Sequence, residues 1–319
     1  MRIWTHIEPT GRTIIQRSKR AGFTLIELLV VISIIALLVG ILLPALGAAR
    51  KSAMVLKCAS REKQVMISMT AYTLDNDGLF PSGWEENKNG QLDDKVISYD
   101  DRLSGYDGRE TMTQDQMLSN YIFVGGDNSN GSDFYTCPLD ELEAFTPGSN
   151  NQFFRRTYSI SAGNNPEANA NAYRQTPGIS STRAQNRDVL GNIKVDSWSA
   201  KDGAVTAASS TIALAELSFA QNTMGIIAYA EVSANPNVGP VAGGQNWSGY
   251  GTFETNVIGH HDGIAALNEP FSERRSLRTN YAFVDGHVEG LSFGDTLTGI
   301  TDLTSLPRDL RGTMWDHRQ

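Results

Sequence analysis

From Phe23 to Leu43 the chain reads FTLIELLVVISIIALLVGILL, 21 residues in which Glu27 is the only charged side chain. At ~1.5 Å rise per residue a helix of that length spans about 30 Å, the thickness of a bilayer's hydrocarbon core. No second apolar run of comparable length follows. Beyond Pro44 the pattern turns periodic. Met54, Cys58, Val65, Met69 and Tyr72 fall on one narrow face at 3.6 residues per turn, while Arg50, Lys51, Lys57 and Lys63 lie mostly away from it. The helix is therefore expected to continue over 44–76 and to bury that stripe against a globular region, 77–319. Pro44 removes one helical hydrogen bond and invites a kink or local melting. Asp75-Asn76-Asp77-Gly78, then Phe80-Pro81, ends the helix with residues that favour turns and left-handed backbone.

Farther along, the signals are shorter. Met112–Val124 suggests a helix leading into a strand, and Phe134–Pro138 and Phe153–Ser161 read as two strands around a loop. Residues 164–202 are rich in Asn, Ala, Ser and Gly with little periodicity, which predicts a surface insertion. Strand patterns return at Thr211–Leu217 and at Gly225–Val232, expected to be neighbours in a sheet. Thr279–Leu291 is an apolar strand, an Asp285-Gly286 turn and a return strand. A type I′ turn there would set Val284 opposite His287 and Phe283 opposite Val288. The fold class is α+β: one long N-terminal helix, half transmembrane and half amphipathic, packed on an antiparallel sheet with long loop insertions.

Charge orients the apolar helix. Residues 1–22 hold Arg2, Arg12, Arg17, Lys19 and Arg20 against Glu8, leaving 22 basic and 34 acidic residues after Gly22, a net charge of -12. The positive-inside tendency keeps the basic leader in the cytoplasm and sends the rest outward. The acidic remainder offers no electrostatic reason to bind nucleic acid. Ala45, Gly47, Ala48 and Ala49 would suit a signal-peptide cleavage site, but the apolar stretch is longer than the about 7 to 15 residues such peptides use, so a permanent anchor fits better. A carboxylate at Glu27, near the start of a membrane helix, costs a few kcal/mol unless compensated, by snorkelling to headgroups or by a partner.

The string Ala21-Gly22-Phe23-Thr24-Leu25-Ile26-Glu27-Leu28-Leu29-Val30-Val31-Ile32 resembles the processing site of type IV pilins and type II secretion pseudopilins. The resemblance implies a pilin-like fold, cleavage by a prepilin peptidase between Gly22 and Phe23, and N-methylation of the new Phe23 amine. Glu27 becomes the fifth mature residue, expected to neutralise the N-terminal amine of a neighbouring subunit. The 22-residue leader is longer than the short form common in the family. The run from Cys58 through Tyr72, Asp75, Asn76, Gly78, Phe80 and Pro81 is similar to the post-anchor segment of large prepilin-like proteins.

Residues 280–288, within the segment 259–293, resemble a C-terminal domain associated with prepilin-type processing and defined by a His, nine residues, then Asp-Gly. The residue ten before Asp285 is Arg275, so the match to His260 or His261 requires an inserted loop. His260, His261, Asp262, Asp285 and His287 carry ligand-type chemistry and are weak candidates for a divalent metal. A turn at Asp285 and hydrogen bonds across the loop explain the same residues. Cys58 and Cys137, the only cysteines, lack the paired spacing of a zinc site. They could close a disulfide worth roughly 3 to 5 kcal/mol, or remain as two buried thiols.

No nucleophile elbow, phosphate-binding loop, dinucleotide fingerprint or HExxH motif is present, so neither enzyme activity nor a cofactor is expected. The expected role is a structural pilus or pseudopilus subunit, whose partners are a prepilin peptidase, other pilin or pseudopilin subunits and the inner membrane. It would be a single-pass protein with an extracytoplasmic C-terminal region, later part of a periplasmic or surface filament. The alternatives are a processed surface module binding a polysaccharide or secreted ligand, and an anchored metal-dependent enzyme.

Overall fold

The computed structural model describes residues 23–82, 84–86, 96–113, 135–140, 156–163, 178–181, 184–187, 193–196, 199–217, 231–235, 239–242, 261, 278–297 and 312–317. The elements are α1 (Leu25–Asp75), β1 (Trp84–Glu86), β2 (Val96–Ser98), α2 (Tyr99–Arg102), β3 (Tyr158–Gly163), β4 (Ser180–Ser181), β5 (Ala184–Arg187), β6 (Ile193–Asp196), β7 (Ile212–Glu216), β8 (Glu231–Asn235), β9 (Gly239–Ala242), β10 (Arg278–Phe283) and β11 (Val288–Ser292). The chain divides into two compact units, Met1–Ser52 and Ala53–Gln319.

In the first unit α1 runs through Pro44 as assigned helix and buries none of its apolar side chains. Phe23 and the large apolar side chains from Leu25 to Leu46 are 44 to 83% exposed. Among the described residues α1 is the one helix long and apolar enough to cross a membrane.

The second unit is built on a sheet of order β11-β10-β7-β3-β8-β9. Its first four strands are antiparallel, the α+β arrangement expected. β8 then joins β3 in parallel and pairs with β9 antiparallel, while β4 adds to the end of β3 in parallel. One layer gathers Cys58, Val65, Met66 and Met69 of α1 with Ile160, Leu214 and Ala282 of the sheet. Full burial of each Val, Met, Leu or Ile contributes roughly 1.5–3 kcal/mol. Met54 and Tyr72 of the anticipated stripe are only half-buried, and Glu62 is fully buried among its apolar members. The other layer holds Tyr281, Phe283, Phe293, Leu297 and Trp315. A bulge opposite Ala282/Phe283 feeds both layers: Leu214 pairs with Ala282, Ile212 with Phe283, and Ala213 is the extra residue between.

α1 ends where Gly78 N–H bonds Thr73 O at 3.0 Å and Asn76 Nδ2 bonds Tyr72 O at 2.7 Å. Gly78 has φ +77°, and a Cβ there would stand 2.7 Å from Asp202 Oδ1, so both backbone and space favour glycine.

Four expectations change. The β10–β11 register pairs Ala282 with Val288, one residue off the anticipated Phe283. Within this loop only Gly286 has positive φ, and Gly286 N–H bonds Phe283 O at 2.8 Å, so the loop is three residues closing on a left-handed glycine, without the two positive φ values of type I′. That slip sends Phe283 to the Trp315 layer and Val288 to the α1 layer. Tyr135–Asp140 is a turn and not a strand: Asp140 N–H bonds Cys137 O at 2.9 Å and Cys137 is tied elsewhere. β7 and β8 are not neighbours, because β3 lies between them. Finally, 164–202 contains β4, the β5–β6 hairpin, and core residues Ile179 and Ala200. The anticipated Met112–Val124 helix lies outside the described residues, apart from its first two positions, which are not helical.

Candidate functional site

Thr24 opens α1, and its backbone N–H and its hydroxyl reach Glu27 Oε2 at 2.8 and 2.7 Å. Glu27 N–H returns to Thr24 Oγ1 at 3.3 Å. A threonine followed three residues later by glutamate is a capping box, satisfying donors that the first helical turn leaves orphaned. The carboxylate is thus fixed at the positive end of the helix dipole, beside exposed Phe23. Gly22 lies outside the described residues.

Of the five metal candidates the structure describes His261, Asp285 and His287, and their partners differ. Asp285 and His287 sit at the β10–β11 turn, both more than a third exposed, with His287 Nδ1 2.6 Å from Asp285 Oδ1. The His287 ring stacks on Phe283 at 4.2 Å. Partial burial works against the Asp285 charge, but hydrogen bonds from His287 outweigh it and hold the carboxyl below its usual range. The pair stabilises a turn. His261 instead is buried, 2.9 Å from Glu216 Oε2 of β7 and 3.6 Å from Cys137 Sγ. His260 and Asp262 lie outside the described residues.

Cys58 and Cys137 form a buried disulfide with Cα atoms 4.8 Å apart. The backbone around it is pinned as well: Tyr158 Oη donates to Cys58 O at 3.0 Å, Cys137 N–H donates to Thr157 Oγ1 at 3.0 Å, and Arg61 donates to Thr136 O at 2.6 Å. Glu216 also accepts from the Thr279 hydroxyl. Two acids here escaped sequence reasoning. Glu216 is one of five consecutive buried residues in β7, where alternation gives no hint of an inward carboxylate. Glu62 stands one turn after Cys58 and three residues before Val65, so its place on the buried stripe was legible in the helical spacing. Neither Glu62 carboxylate oxygen has a hydrogen-bond partner among the described residues. Burial and the Glu216 charge raise its carboxyl well above the ordinary carboxylate range, against a smaller lowering from the Ala282 backbone N–H.

A second buried polar cluster surrounds α2. Arg156 pairs with Asp100, both side chains fully buried, and its guanidinium lies 5.4 Å from the centre of the Tyr99 ring. Tyr99 Oη donates to Tyr158 O at 2.6 Å. Arg109 Nε donates to Asp107 Oδ2 at 2.6 Å, and Tyr135 Oη donates to the same oxygen at 2.9 Å. These bonds join α2 to β3 and the Tyr135 end of the Cys137 turn to the loop after α2. Asp101 accepts from Ser98 N–H and Oγ, both at 3.0 Å. Burial, then the neighbouring Asp100 charge, push its carboxyl up to about 7. A carboxyl raised on folding binds its proton more tightly in the native state, so its contribution fades as pH rises from about 4 to 7. Asp101→Asn is expected to remove on the order of 2 to 3 kcal/mol of stability loss between pH 5 and pH 8. Urea titrations at the two pH values measure it; equal losses in both proteins would assign the slope to other groups.

Residues 17–43 match the family model for the prokaryotic N-terminal methylation motif, which together with the long apolar helix is consistent with a type IV prepilin-like protein. No curated protein and no solved structure matches the chain.

Proposed function

We propose that the chain is a structural subunit of a type IV pilus or of a type II secretion-type pseudopilus. A prepilin peptidase cleaves after Gly22 and releases the leader, 1–22. Residues 23–43 then anchor the protein in the inner membrane, and 44–76 carry the helix into the extracytoplasmic region, 77–319. Assembly proceeds through the N-terminal helix, against other pilin or pseudopilin subunits, in a periplasmic or cell-surface filament. What carries this reading is the coincidence of the methylation motif at 17–43 with the N-terminal half of α1, whose large apolar side chains from Leu25 to Leu46 are all exposed. Such a surface needs an apolar surround, first lipid and then neighbouring helices. Gly22, Phe23 and Glu27 are the processing and assembly residues.

The test is the mature N-terminus. Protein isolated from the native host is expected to begin at N-methylated Phe23, read by N-terminal sequencing and intact mass. A start near Ala48 or Ala49 would identify a signal peptide and overturn the proposal.

A further inference from the structure

The disulfide, His261 and Glu216 bring together two sulfurs, an imidazole nitrogen and a carboxylate. One ligand atom from each of Cys58, Cys137, Glu216 and His261 lies within 4.8 Å of every other. Tetrahedral zinc, with bonds of ~2.3 Å to sulfur and ~2.0–2.1 Å to nitrogen or oxygen, holds its donors about 3.3 to 3.8 Å apart. Cys137 Sγ and His261 Nε2 already stand 3.6 Å apart, and His261 Nε2 is 3.2 Å from Glu216 Oε1. All four residues are buried, His261 the most open at 6%.

Glu62 is a separate observation pointing to a ligand. It is completely buried, one helical turn from Cys58, with both carboxylate oxygens lacking a hydrogen-bond partner among the described residues. A buried carboxyl without a hydrogen-bond partner is expensive. A metal held by the four neighbouring residues would give Glu62 a role beside it, steering its ligands.

We propose that the reduced chain binds one zinc ion through Cys58, Cys137, His261 and Glu216, and that disulfide formation closes the site. Two sulfurs, one nitrogen and one oxygen suit zinc better than the hard, all-oxygen cations. A dithiol reductant breaks the Cys58–Cys137 bond, is itself oxidised to a disulfide, and leaves two protons on the cysteine sulfurs. Zinc then displaces those protons to solvent as it binds the two thiolates. Because every ligand is buried, loading accompanies folding. In the closing direction an exchanging disulfide takes two electrons from the thiolates and two protons from solvent, becomes a dithiol, and zinc leaves as the Cys58–Cys137 bond forms, so the chain is locked by metal before oxidation and by the covalent bond after it.

The test uses the full chain in detergent, unfolded in urea, reduced with a phosphine and refolded with Co2+ as the probe. The expected result is one Co2+ per chain, with sulfur-to-cobalt charge-transfer absorption and the visible bands of tetrahedral coordination, all displaced by Zn2+. The disulfide form should take up none. His261→Ala and Glu216→Gln should each weaken binding at least about tenfold, and Cys58→Ser should remove most of the charge-transfer signal. Circular dichroism of each variant in its disulfide form separates loss of a ligand from loss of fold; for Cys58→Ser, the Co2+-free refolded chain serves. A refolded reduced chain without the thiolate signal, a signal indifferent to His261→Ala, or a reduced chain that Co2+ does not help to refold would each overturn the proposal.

Discussion

Glu27→Ala is expected to leave the Ala53–Gln319 unit folded and the chain in the membrane, while recovery in sheared filaments or purified assemblies falls at least tenfold. Helices leaving lipid for a bundle gain little from generic hydrophobicity, because lipid is already apolar. Polar pairing must then set their register. Removing the carboxylate would leave the methylated amine of a neighbouring Phe23 buried and unpaired, a penalty of several kcal/mol, whereas about 1.4 kcal/mol already gives a factor of ten. Glu27 also receives the Thr24 N–H and hydroxyl, so the substitution weakens the helix start by about 1 kcal/mol. Glu27→Gln separates the two effects, since its amide oxygen can still accept from Thr24 but carries no charge. Assembly lost in both variants identifies the ion pair; loss in Ala alone identifies the cap; normal assembly in both makes Glu27 a tolerated carboxylate at the membrane surface.

Arg156→Ala is expected to cost about 3 to 5 kcal/mol of stability, the range for breaking a buried ion pair from one side. The substitution strands Asp100, fully buried and in hydrogen-bond contact with Ser98 Oγ at 2.6 Å, and removes the cation beside the Tyr99 ring. Urea unfolding of the full chain in detergent, followed by tryptophan fluorescence, measures the loss. Replacing Asp100 by Ala in the same chain should return part of it, because no unpaired charge then remains. A loss below ~1 kcal/mol would mean that water reaches and screens the pair.

Local regularity decided what could be read in advance. The Phe23–Leu43 run needs no tertiary knowledge, and Thr24 and Glu27 are three residues apart, so anchor and cap are both written in adjacent letters. The stripe on α1 was equally legible in Cys58, Val65 and Met69, and Glu62 occupied the same face; its residue type, normally solvated, concealed it. For the hairpin, Asp285-Gly286 announced a turn, but two loop lengths accept that dipeptide, and the choice between them rests on partners in β7. Strand-like residues around Cys137 yielded to a disulfide and a tight turn, constraints imposed from 79 residues away. His261 and Glu216 are 45 residues apart, and no pattern in either segment points to the other. The placement of β3 between β7 and β8 is likewise a property of the whole sheet.

The disulfide gives the second unit an asymmetric response to force. A pull on α1 from its N-terminal side reaches Cys58 before Glu62, Val65, Met66, Met69 and Thr73, the buried turns of the helix. Hydrogen bonds and apolar contacts can peel one residue at a time, but at Cys58 the tension passes through sulfur into the Cys137 turn, which Thr157 holds beside β3 by accepting from Cys137 N–H and donating to Tyr135 O. The helix therefore unravels up to that crosslink and stops, the segment between Cys58 and Cys137 cannot be drawn out while the disulfide holds, and the load falls instead on the hydrogen bonds of the sheet that follows.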